Sequence, residues 1–422
     1  MLILLVEWLK GILDEGPGYF RLFDYITFRA GLAAILSLLI SMVFGGNIIR
    51  RLQKLQIGEV VRDLGLEGQI KKQGTPTMGG IIIILATVVP CLLMAKLNNV
   101  YIILLLVTTI WIASIGFLDD YIKVFKKDKK GLSGWFKVMG QVGLGLIIGL
   151  TFILSDGIVV RMETSAADEL GLEEIAMVGD TIYAKVDGEI VKKGDYKTNL
   201  TNVPFLKGNR FDYAQLMPLE KSIAQKWVWI IFIPFAIFVI TAISNGANLT
   251  DGLDGLAIGV SGIIVIVLGV FAYLSGNFIT AEYLGILHLP GTGEMVIFAA
   301  CLLGACLGFL WYNAFPAQVF MGDTGSLTLG GIIASMGLLL RKEFLLPLLC
   351  GIFLLETLSV VIQVTYFKYT KRKYGEGRRV FKMAPIHHHY QKRNMHEVKI
   401  VTRFWIVGIL LAILTIITLK VR

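Results

Sequence analysis

The run VYIILLLVTTIWIASIGFL occupies residues 100–118, and the acidic pair Asp119-Asp120 follows it directly. A helix needs about 20 consecutive apolar residues to cross the hydrocarbon core of a bilayer, and this run has nearly that length. Counting this run, ten stretches are long and apolar enough to cross a bilayer: 25–48, 79–97, 100–118, 137–155, 227–244, 256–275, 294–312, 326–340, 345–367 and 403–420. The pattern predicts an all-α polytopic membrane protein with ten transmembrane helices.

The composition agrees with a membrane protein. Of the 422 residues, 55% are hydrophobic and 17% are charged, whereas soluble domains carry about 25% charged residues. All four cysteines lie inside apolar runs, away from histidine, so the sequence predicts neither disulfides nor a zinc site. In a membrane protein the net charge of +9 first reports topology, so we predict no nucleic-acid partner.

The distribution of lysine and arginine predicts the orientation of the chain. Six basic residues lie in loop 50–78, six in loop 119–137 and eleven in loop 368–403. The short loops that follow even-numbered spans contain only three basic residues, Lys96, Arg341 and Lys342. Because basic loops stay in the cytoplasm, these three loops are predicted to be cytoplasmic and both termini to lie outside.

A polar segment at 156–226 interrupts the membrane pattern. Within it, Thr181–Val186 and Glu189–Lys193 flank Asp187-Gly188, which is a two-residue hairpin signal. We therefore predict a small extracytoplasmic insert that contains β-structure. The segments on either side of it, 1–155 with four spans and 227–422 with six, are expected to form one helical bundle.

Polar motifs follow only odd-numbered spans. They are Asp119-Asp120 after the third span, NLTDGLDG at 248–255 after the fifth, FMGD at 320–323 after the seventh and HHH at 387–389 after the ninth. All four loops therefore emerge on the cytoplasmic face and converge if the helices form one bundle. This layout predicts an active site at the membrane interface.

Each motif also has a structural interpretation. The acidic pair could cap a helix in solvent, although a helix C-terminus disfavours anions. Asp251 and Asp254 could belong to an ordinary turn that leads into a helix, and the acid of the MGDTGS stretch at 321–326 could do the same. Neighbouring histidines rarely converge on one metal ion, so hydrogen bonding to phosphate is the better interpretation of HHH. Taken together, acids, lysines and histidines on one face indicate Mg²⁺-dependent phosphoryl transfer.

Five motifs in order carry a resemblance to a known family. They are GTPTMGG at 74–80, DDYIK at 119–123, NLTDGLDG at 248–255, NAFPAQVFMGD at 313–323 and APIHHH at 384–389. The chain resembles the phospho-N-acetylmuramoyl-pentapeptide transferases, within the polyprenyl-phosphate N-acetylhexosamine-1-phosphate transferase superfamily. The resemblance covers nearly the whole chain apart from 156–226. It departs there, because the insert is larger than usual, and at Tyr390-Gln391, where an aromatic–acid pair is common.

The resemblance implies a reaction and a location. UDP-N-acetylmuramoyl-pentapeptide would donate phospho-N-acetylmuramoyl-pentapeptide to undecaprenyl phosphate, giving the first lipid intermediate of peptidoglycan synthesis and releasing UMP. The enzyme would be a multi-pass protein of the bacterial inner membrane, would use Mg²⁺, and would work on the cytoplasmic face. A homodimer, and a cell-wall synthesis protein bound to the insert, are further expectations.

The resemblance also implies roles for the acidic residues and one histidine. Asp323 would ligate Mg²⁺, and Asp251 would lie close to that metal as a second ligand. Asp119 matches the residue that would act as a base toward the lipid phosphate, with Asp120 beside it. His387 would act with these catalytic residues near the phosphates or the sugar.

The other matched residues are expected to bind the substrates. Three lysines would steady phosphates, namely Lys71, Lys123 and Lys137, with Lys72 as the alternative to Lys71. The nucleotide would be held by Asn248, Gly252, Leu253, Asp254, Asn313 and Phe320, with Phe320 stacked on the uracil. His388 would lie by the phosphates or the sugar.

Two alternative functions remain open from the sequence. A sibling transferase would use UDP-N-acetylglucosamine with the same chemistry. A transporter would also have many helices, but it should carry ionisable groups near the bilayer midplane. Only Glu356 and Gln363 are candidates for such a position, so a transporter is the less favoured interpretation.

Overall fold

The computed structural model describes most of the chain with side chains. The described residues are 1–12, 18–55, 74–126, 128, 131–170, 172, 174–175, 182–186 and 189–420. The predicted phosphate contact Lys71, its neighbour Lys72 and the predicted turn Asp187-Gly188 lie outside these ranges.

Helices make up most of the described structure. In chain order they are α1 Leu2–Ile12, α2 Ile26–Leu55, α3 Gly80–Met94, α4 Val100–Phe125, α5 Gly134–Leu154, α6 Thr164–Leu170, α7 Lys221–Trp227, α8 Trp229–Thr250, α9 Leu256–Gly276, α10 Phe278–Leu284, α11 Glu294–Asn313, α12 Gly322–Leu339, α13 Leu346–Leu349, α14 Gly351–Tyr374, α15 Ile386–Gln391 and α16 Glu397–Ile417. The predicted helical fold is thus confirmed.

Eight helices in the described ranges are long and apolar enough to cross a membrane: α2, α4, α5, α8, α9, α11, α14 and α16. The other two predicted spans correspond to α3, which has only 15 residues, and α12, which has 18 residues and is almost entirely buried. A 15-residue helix is shorter than the bilayer core requires. The chain is therefore a polytopic helical membrane protein, whereas the count of ten spans and the placement of both termini stay predictions.

Helix α12 lies at the centre of the bundle, packed against α3, α4, α8 and α9. Glycines permit its close contacts, because lipid gives no hydrophobic drive and helix packing relies on small residues. A Cβ atom on Gly116 of α4 would lie 2.3 Å from the carbonyl oxygen of Asp323, and one on Gly80 of α3 would lie 2.2 Å from the backbone nitrogen of Gly325. These contacts place the N-terminus of α12 against the C-terminal half of α4, where Asp119 lies.

The insert contains two small sheets. Four strands form the first, namely β1 Val160–Glu163, β2 Glu174–Ile175, β3 Ile182–Val186 and β4 Glu189–Tyr196, in which β1, β2 and β3 all pair with β4. The antiparallel register of β3 and β4 places Val186 opposite Glu189, which is the pairing that the hairpin signal predicts. Strands β5 Leu200–Asn202 and β6 Arg210–Asp212 form the second sheet. The side of the membrane on which the insert lies stays a prediction.

A buried ion pair joins three helices at the end of the bundle opposite the acidic motifs. The guanidinium of Arg29 in α2 donates to both carboxylate oxygens of Glu294 in α11, at 2.9 and 2.6 Å. The backbone nitrogen of Lys96, after α3, donates to the same carboxylate at 3.0 Å. The side chain of Arg29 is only 2% exposed, so this pair is shielded from water.

Replacing Arg29 with Leu is expected to destabilise the protein by about 3–5 kcal/mol, because Glu294 would keep a buried charge without its partner. The free energy of unfolding in detergent, measured by denaturant titration, checks this. The exposed pair Lys10–Asp24, with nitrogen and oxygen 2.7 Å apart, supplies the control, and Lys10→Leu should change stability by about 1 kcal/mol or less. Equal effects of the two substitutions would contradict the prediction.

Candidate active site

Three carboxylates meet where α4 approaches the start of α12. One oxygen from each of Asp119, Asp120 and Asp323 lies within 4.8 Å of the others, and they form the one group of possible metal ligands found within the described ranges. Asp119 and Asp120 are buried near the end of α4, and Asp323 is the second residue of α12. The structure thus brings together two acidic motifs that are about 200 residues apart in the sequence.

Both oxygens of Asp120 are occupied by the N-terminus of α12. Oδ1 accepts from the backbone nitrogen of Asp323 at 3.1 Å, and Oδ2 accepts from the backbone nitrogen and the hydroxyl of Thr324 at 2.8 and 2.6 Å. The first amide groups of a helix have no partner within the helix, so Asp120 caps α12 from another helix. Gly322 has a φ of +70°, and a Cβ atom there would lie 2.5 Å from Asp120 Oδ2. These contacts favour a positioning role for Asp120.

Two lysines bridge Asp119 and Asp323. The nitrogen of Lys123, one turn after Asp119 on α4, lies 2.5 Å from Asp119 Oδ2 and 3.2 Å from Asp323 Oδ2. The nitrogen of Lys137 on α5 lies 3.0 Å from Asp119 Oδ2 and also contacts Asp323 Oδ2. The remaining oxygen of Asp119 accepts from the backbone nitrogen of Leu132 at 2.7 Å. The predicted acids and lysines therefore form one alternating charge cluster.

Asn248, predicted to bind substrate, holds Asp323 in place. Its amide nitrogen donates to Asp323 Oδ1 and to the hydroxyl of Ser326, at 2.8 Å in both cases. Sequence reasoning did not assign roles to Ser326 and Thr324, although hydroxyl residues beside an acid at a helix start are a capping signal.

Two loops predicted to bind the nucleotide are tied to each other. The side-chain oxygen of Asn313 accepts from the backbone nitrogen of Gly255 at 3.0 Å, and its nitrogen donates to the carbonyl of Val319 at 2.9 Å. Asp254 Oδ2 accepts from the backbone nitrogen of Ala317 at 3.0 Å. The amide of Asn313 and this oxygen of Asp254 therefore set the shape of the loops, and Leu253 is buried beside them.

Asp251 lies in the first of these loops, outside the three-carboxylate group. Burial raises the pKa of its carboxyl to about 8, and the negative charges of Asp323, Asp120 and Asp254 act in the same direction. The structure thus places Asp251 within electrostatic reach of the cluster. That Asp251 ligates the metal stays a prediction.

Phe320 connects the GTPTMGG and FMGD motifs through its backbone. Its nitrogen donates to the carbonyl of Pro76 at 2.8 Å, and its carbonyl accepts from the nitrogen of Gly79 at 2.9 Å. A Cβ atom on Gly79 would lie 2.8 Å from that carbonyl oxygen, so the approach requires glycine. The two motifs therefore form one surface beside Asp323.

The histidine motif begins α15 and divides into different environments. His387 is fully buried, and its Nδ1 lies 3.1 Å from Oε2 of Glu356 on α14. His388 is half-buried, and its Nδ1 lies 2.7 Å from the side-chain oxygen of Gln391. Glu356 was noticed in the sequence as a charge in an apolar span, but no role was assigned to it.

The donor set of the cluster fits a hard divalent cation. Carboxylate oxygens suit Mg²⁺, Ca²⁺ or Mn²⁺ far better than softer metals. Asp119 Oδ2 and Asp323 Oδ2 meet at the centre of the group, where each contacts the ammonium groups of Lys123 and Lys137, so both oxygens already lie in a site that accepts positive charge. The acids present therefore fit the predicted metal.

Comparisons with known proteins agree on one family. The model described as "Glycosyl transferase family 4" matches residues 198–341, and "Phospho-N-acetylmuramoyl-pentapeptide-transferase signature 1" matches residues 72–84. Curated relatives named phospho-N-acetylmuramoyl-pentapeptide-transferase include one from Flavobacterium psychrophilum, 57% identical over 100% of both chains, and one from Flavobacterium johnsoniae, 54% identical over 100% of both chains. A third, from Amoebophilus asiaticus, is 55% identical over 95% of both chains.

Proposed function

The chain belongs to the phospho-N-acetylmuramoyl-pentapeptide-transferase family, and from this premise we propose that it transfers phospho-N-acetylmuramoyl-pentapeptide from its UDP donor to undecaprenyl phosphate. The observation that carries the proposal within the structure is the cluster of Asp119, Asp323, Lys123 and Lys137 at one end of the bundle. Phosphoryl transfer needs mainly positioning and charge stabilisation, and this cluster offers both.

In the proposed reaction, an oxygen of the lipid phosphate attacks the phosphorus that bears the sugar. The bond from this phosphorus to the oxygen of UMP breaks, and UMP leaves with the electron pair. A phosphate monoester has a second pKa near 6, so the lipid phosphate is mostly dianionic at pH 7. Asp119 therefore serves more to position the nucleophile than to remove a proton from it. A covalent aspartyl-phosphate intermediate is the alternative, and retention at a chiral thiophosphate phosphorus would favour it over direct displacement.

The residues that would hold Mg²⁺ are Asp323 and, by the family resemblance, Asp251, with Asp119 and Asp120 beside them. When bound, Mg²⁺ would offset negative charge on the diphosphate. Lys123 and Lys137 would contact phosphate oxygens from the other side of the cluster, and Asn248 keeps the Asp323 carboxylate oriented.

The site is proposed to lie on the cytoplasmic side of the inner membrane, so that the nucleotide enters from water. The lipid must reach the site laterally from within the bilayer, because moving its chain into water would cost about 0.8 kcal/mol for each CH₂ group. We propose that α4 and α14, the third and ninth predicted spans, border its groove. Glu356 on α14 is buried, while Leu354, Leu358 and Val361 on the same helix are exposed. A homodimer and a partner bound to the insert stay predictions.

The test of the proposal is a comparison of two nucleotide sugars. Membranes with the protein, supplied with undecaprenyl phosphate and Mg²⁺, should release UMP from UDP-N-acetylmuramoyl-pentapeptide and little from UDP-N-acetylglucosamine. A chelator should abolish the release, and membranes without the protein give the background. The reverse preference would identify the sibling transferase, and release from neither donor would overturn the proposed function.

Replacing Phe320 with Ala is expected to raise the KM for the nucleotide about 10- to 100-fold, because stacking on a base contributes about 1–3 kcal/mol. The kcat should fall less, and the KM for the lipid should not change. The control is Phe315→Ala in the same loop, whose exposed ring packs edge-on against His396. If Phe320→Ala raised the lipid KM instead, the ring would not lie on the uracil.

A further inference from the structure

Glu356 is a fully buried carboxylate in an apolar helix. It lies in the first half of α14, and its side chain and that of His387 are both 0% exposed, with 3.1 Å between Oε2 and Nδ1. Neither side chain has a hydrogen-bond partner within the described residues, so the contact between them is an ion-pair contact alone. A charged group inside a membrane protein is costly and is commonly kept for function, so this pair needs an explanation beyond packing.

The edge of the His387 ring opposite Glu356 faces the NLTDGLDG loop at 248–255. A Cβ atom added to Gly252 would lie 2.2 Å from Nε2 of His387, so only glycine allows the imidazole to approach this backbone. Gly252 lies between Asp251, which feels the charge of the carboxylate cluster, and Leu253. On its remaining face the ring packs against His388, with 4.1 Å between the ring centroids. The imidazole of His387 therefore lies between Glu356 and the NLTDGLDG loop.

We propose that Glu356 is a positioning residue that holds His387 against Gly252 and thereby fixes the NLTDGLDG loop beside the bound nucleotide. This inference rests on the function proposed above. A carboxylate at one ring nitrogen of histidine fixes the rotation of the ring and the hydrogen on that nitrogen. A ring fixed in this way stays against the backbone of Gly252, so the loop that carries Asp251 keeps its place within reach of the carboxylate cluster.

The pair acts on catalysis more than on binding. A displacement of about 1 Å from the productive geometry can cost about 100-fold in rate, so a shift of the loop that carries Asp251 would slow the reaction. Glu356 itself touches no substrate in this arrangement, because the imidazole separates it from the loop. Removing its charge should therefore lower kcat without a matching rise in KM for either substrate.

The experiment replaces Glu356 with Gln in the full chain and measures UMP release. Loss of such a partner typically costs 10- to 100-fold, so kcat is expected to fall by about that factor, while the nucleotide KM changes less than about 3-fold. Glu356→Asp retains the charge on a shorter side chain, and its kcat should lie between those of the parent protein and Glu356→Gln. The matched control is Ser359→Ala, a buried residue of the same helix whose hydroxyl bonds the Glu356 carbonyl at 2.7 Å, and it should behave as the parent protein.

A double-mutant cycle separates positioning from a merely structural role. If Glu356 works through His387, Glu356→Gln combined with His387→Asn should be no slower than His387→Asn alone. Losses that multiply would overturn the inference. So would a Glu356→Gln protein that loses stability but keeps its kcat, because the buried pair would then serve folding alone.

The failure of this inference and of the proposed function give different results. A parent protein that releases no UMP from either nucleotide sugar refutes the proposed function. A parent protein that is active while Glu356→Gln retains its kcat refutes only the assignment to Glu356. An active parent, a slow Glu356→Gln variant and a non-additive cycle support both.

Discussion

Asp323→Asn is expected to lower kcat at least about 100-fold, the scale seen when one preorganised electrostatic group is removed from an active site. The substitution keeps the shape of the side chain but removes the charge that Lys123 and Lys137 contact and that a divalent cation would need. The amide of Asn248, which donates to this carboxylate at 2.8 Å, would meet a weaker acceptor. Turnover at saturating substrates, followed across a Mg²⁺ titration, measures the loss.

A direct binding measurement accompanies the kinetic one. Mn²⁺, detected by its electron paramagnetic resonance signal, should bind the parent protein and bind Asp323→Asn much more weakly. Asp156→Asn is the control, because this exposed acid pairs with Lys197 in the insert and should leave binding and turnover intact. Near-normal turnover of Asp323→Asn at saturating Mg²⁺ would place the metal elsewhere.

Asp120→Ala should reduce both activity and stability. Hydrogen bonds to a charged group contribute about 1.5–3 kcal/mol each, and this carboxylate accepts three at the start of α12. We expect a loss of about 3 kcal/mol or more in the free energy of unfolding, together with at least about 100-fold in kcat as Asp323 loses its fixed position. Denaturant titration in detergent and UMP release measure the two effects.

The companion substitution for Asp120 is Thr324→Val. It removes only the hydroxyl bond of 2.6 Å and leaves the two backbone bonds, so its effects on stability and kcat should be much smaller. If Asp120→Ala lost activity while its unfolding free energy matched that of the parent, the carboxylate would act on the substrates directly. That outcome would restore the catalytic role that the family resemblance implies for Asp120.

The sequence alone determined the class of the protein and predicted that its polar motifs converge. Apolar runs such as 100–118 predict spanning helices because the cost of placing side chains in hydrocarbon depends on each residue and not on distant contacts. The position of the polar motifs after odd-numbered spans predicts that Asp119, Asp323 and the histidines lie on one face. Among the described residues, the eight helices that are long enough to span and the three converging carboxylates agree with this reasoning.

The tertiary structure decided what each of these residues contacts. Asp120 accepts from the backbone of Asp323, 203 residues away, Asn248 holds Asp323, and Glu356 contacts His387, although no local pattern links these pairs. Such contacts depend on which helices touch and at what depth, and glycines such as Gly116 and Gly80 set that depth where α12 meets its neighbours. Hydrogen bonds act over about 3 Å, so the spacing of residues along the chain carries no information about them until the helices have packed.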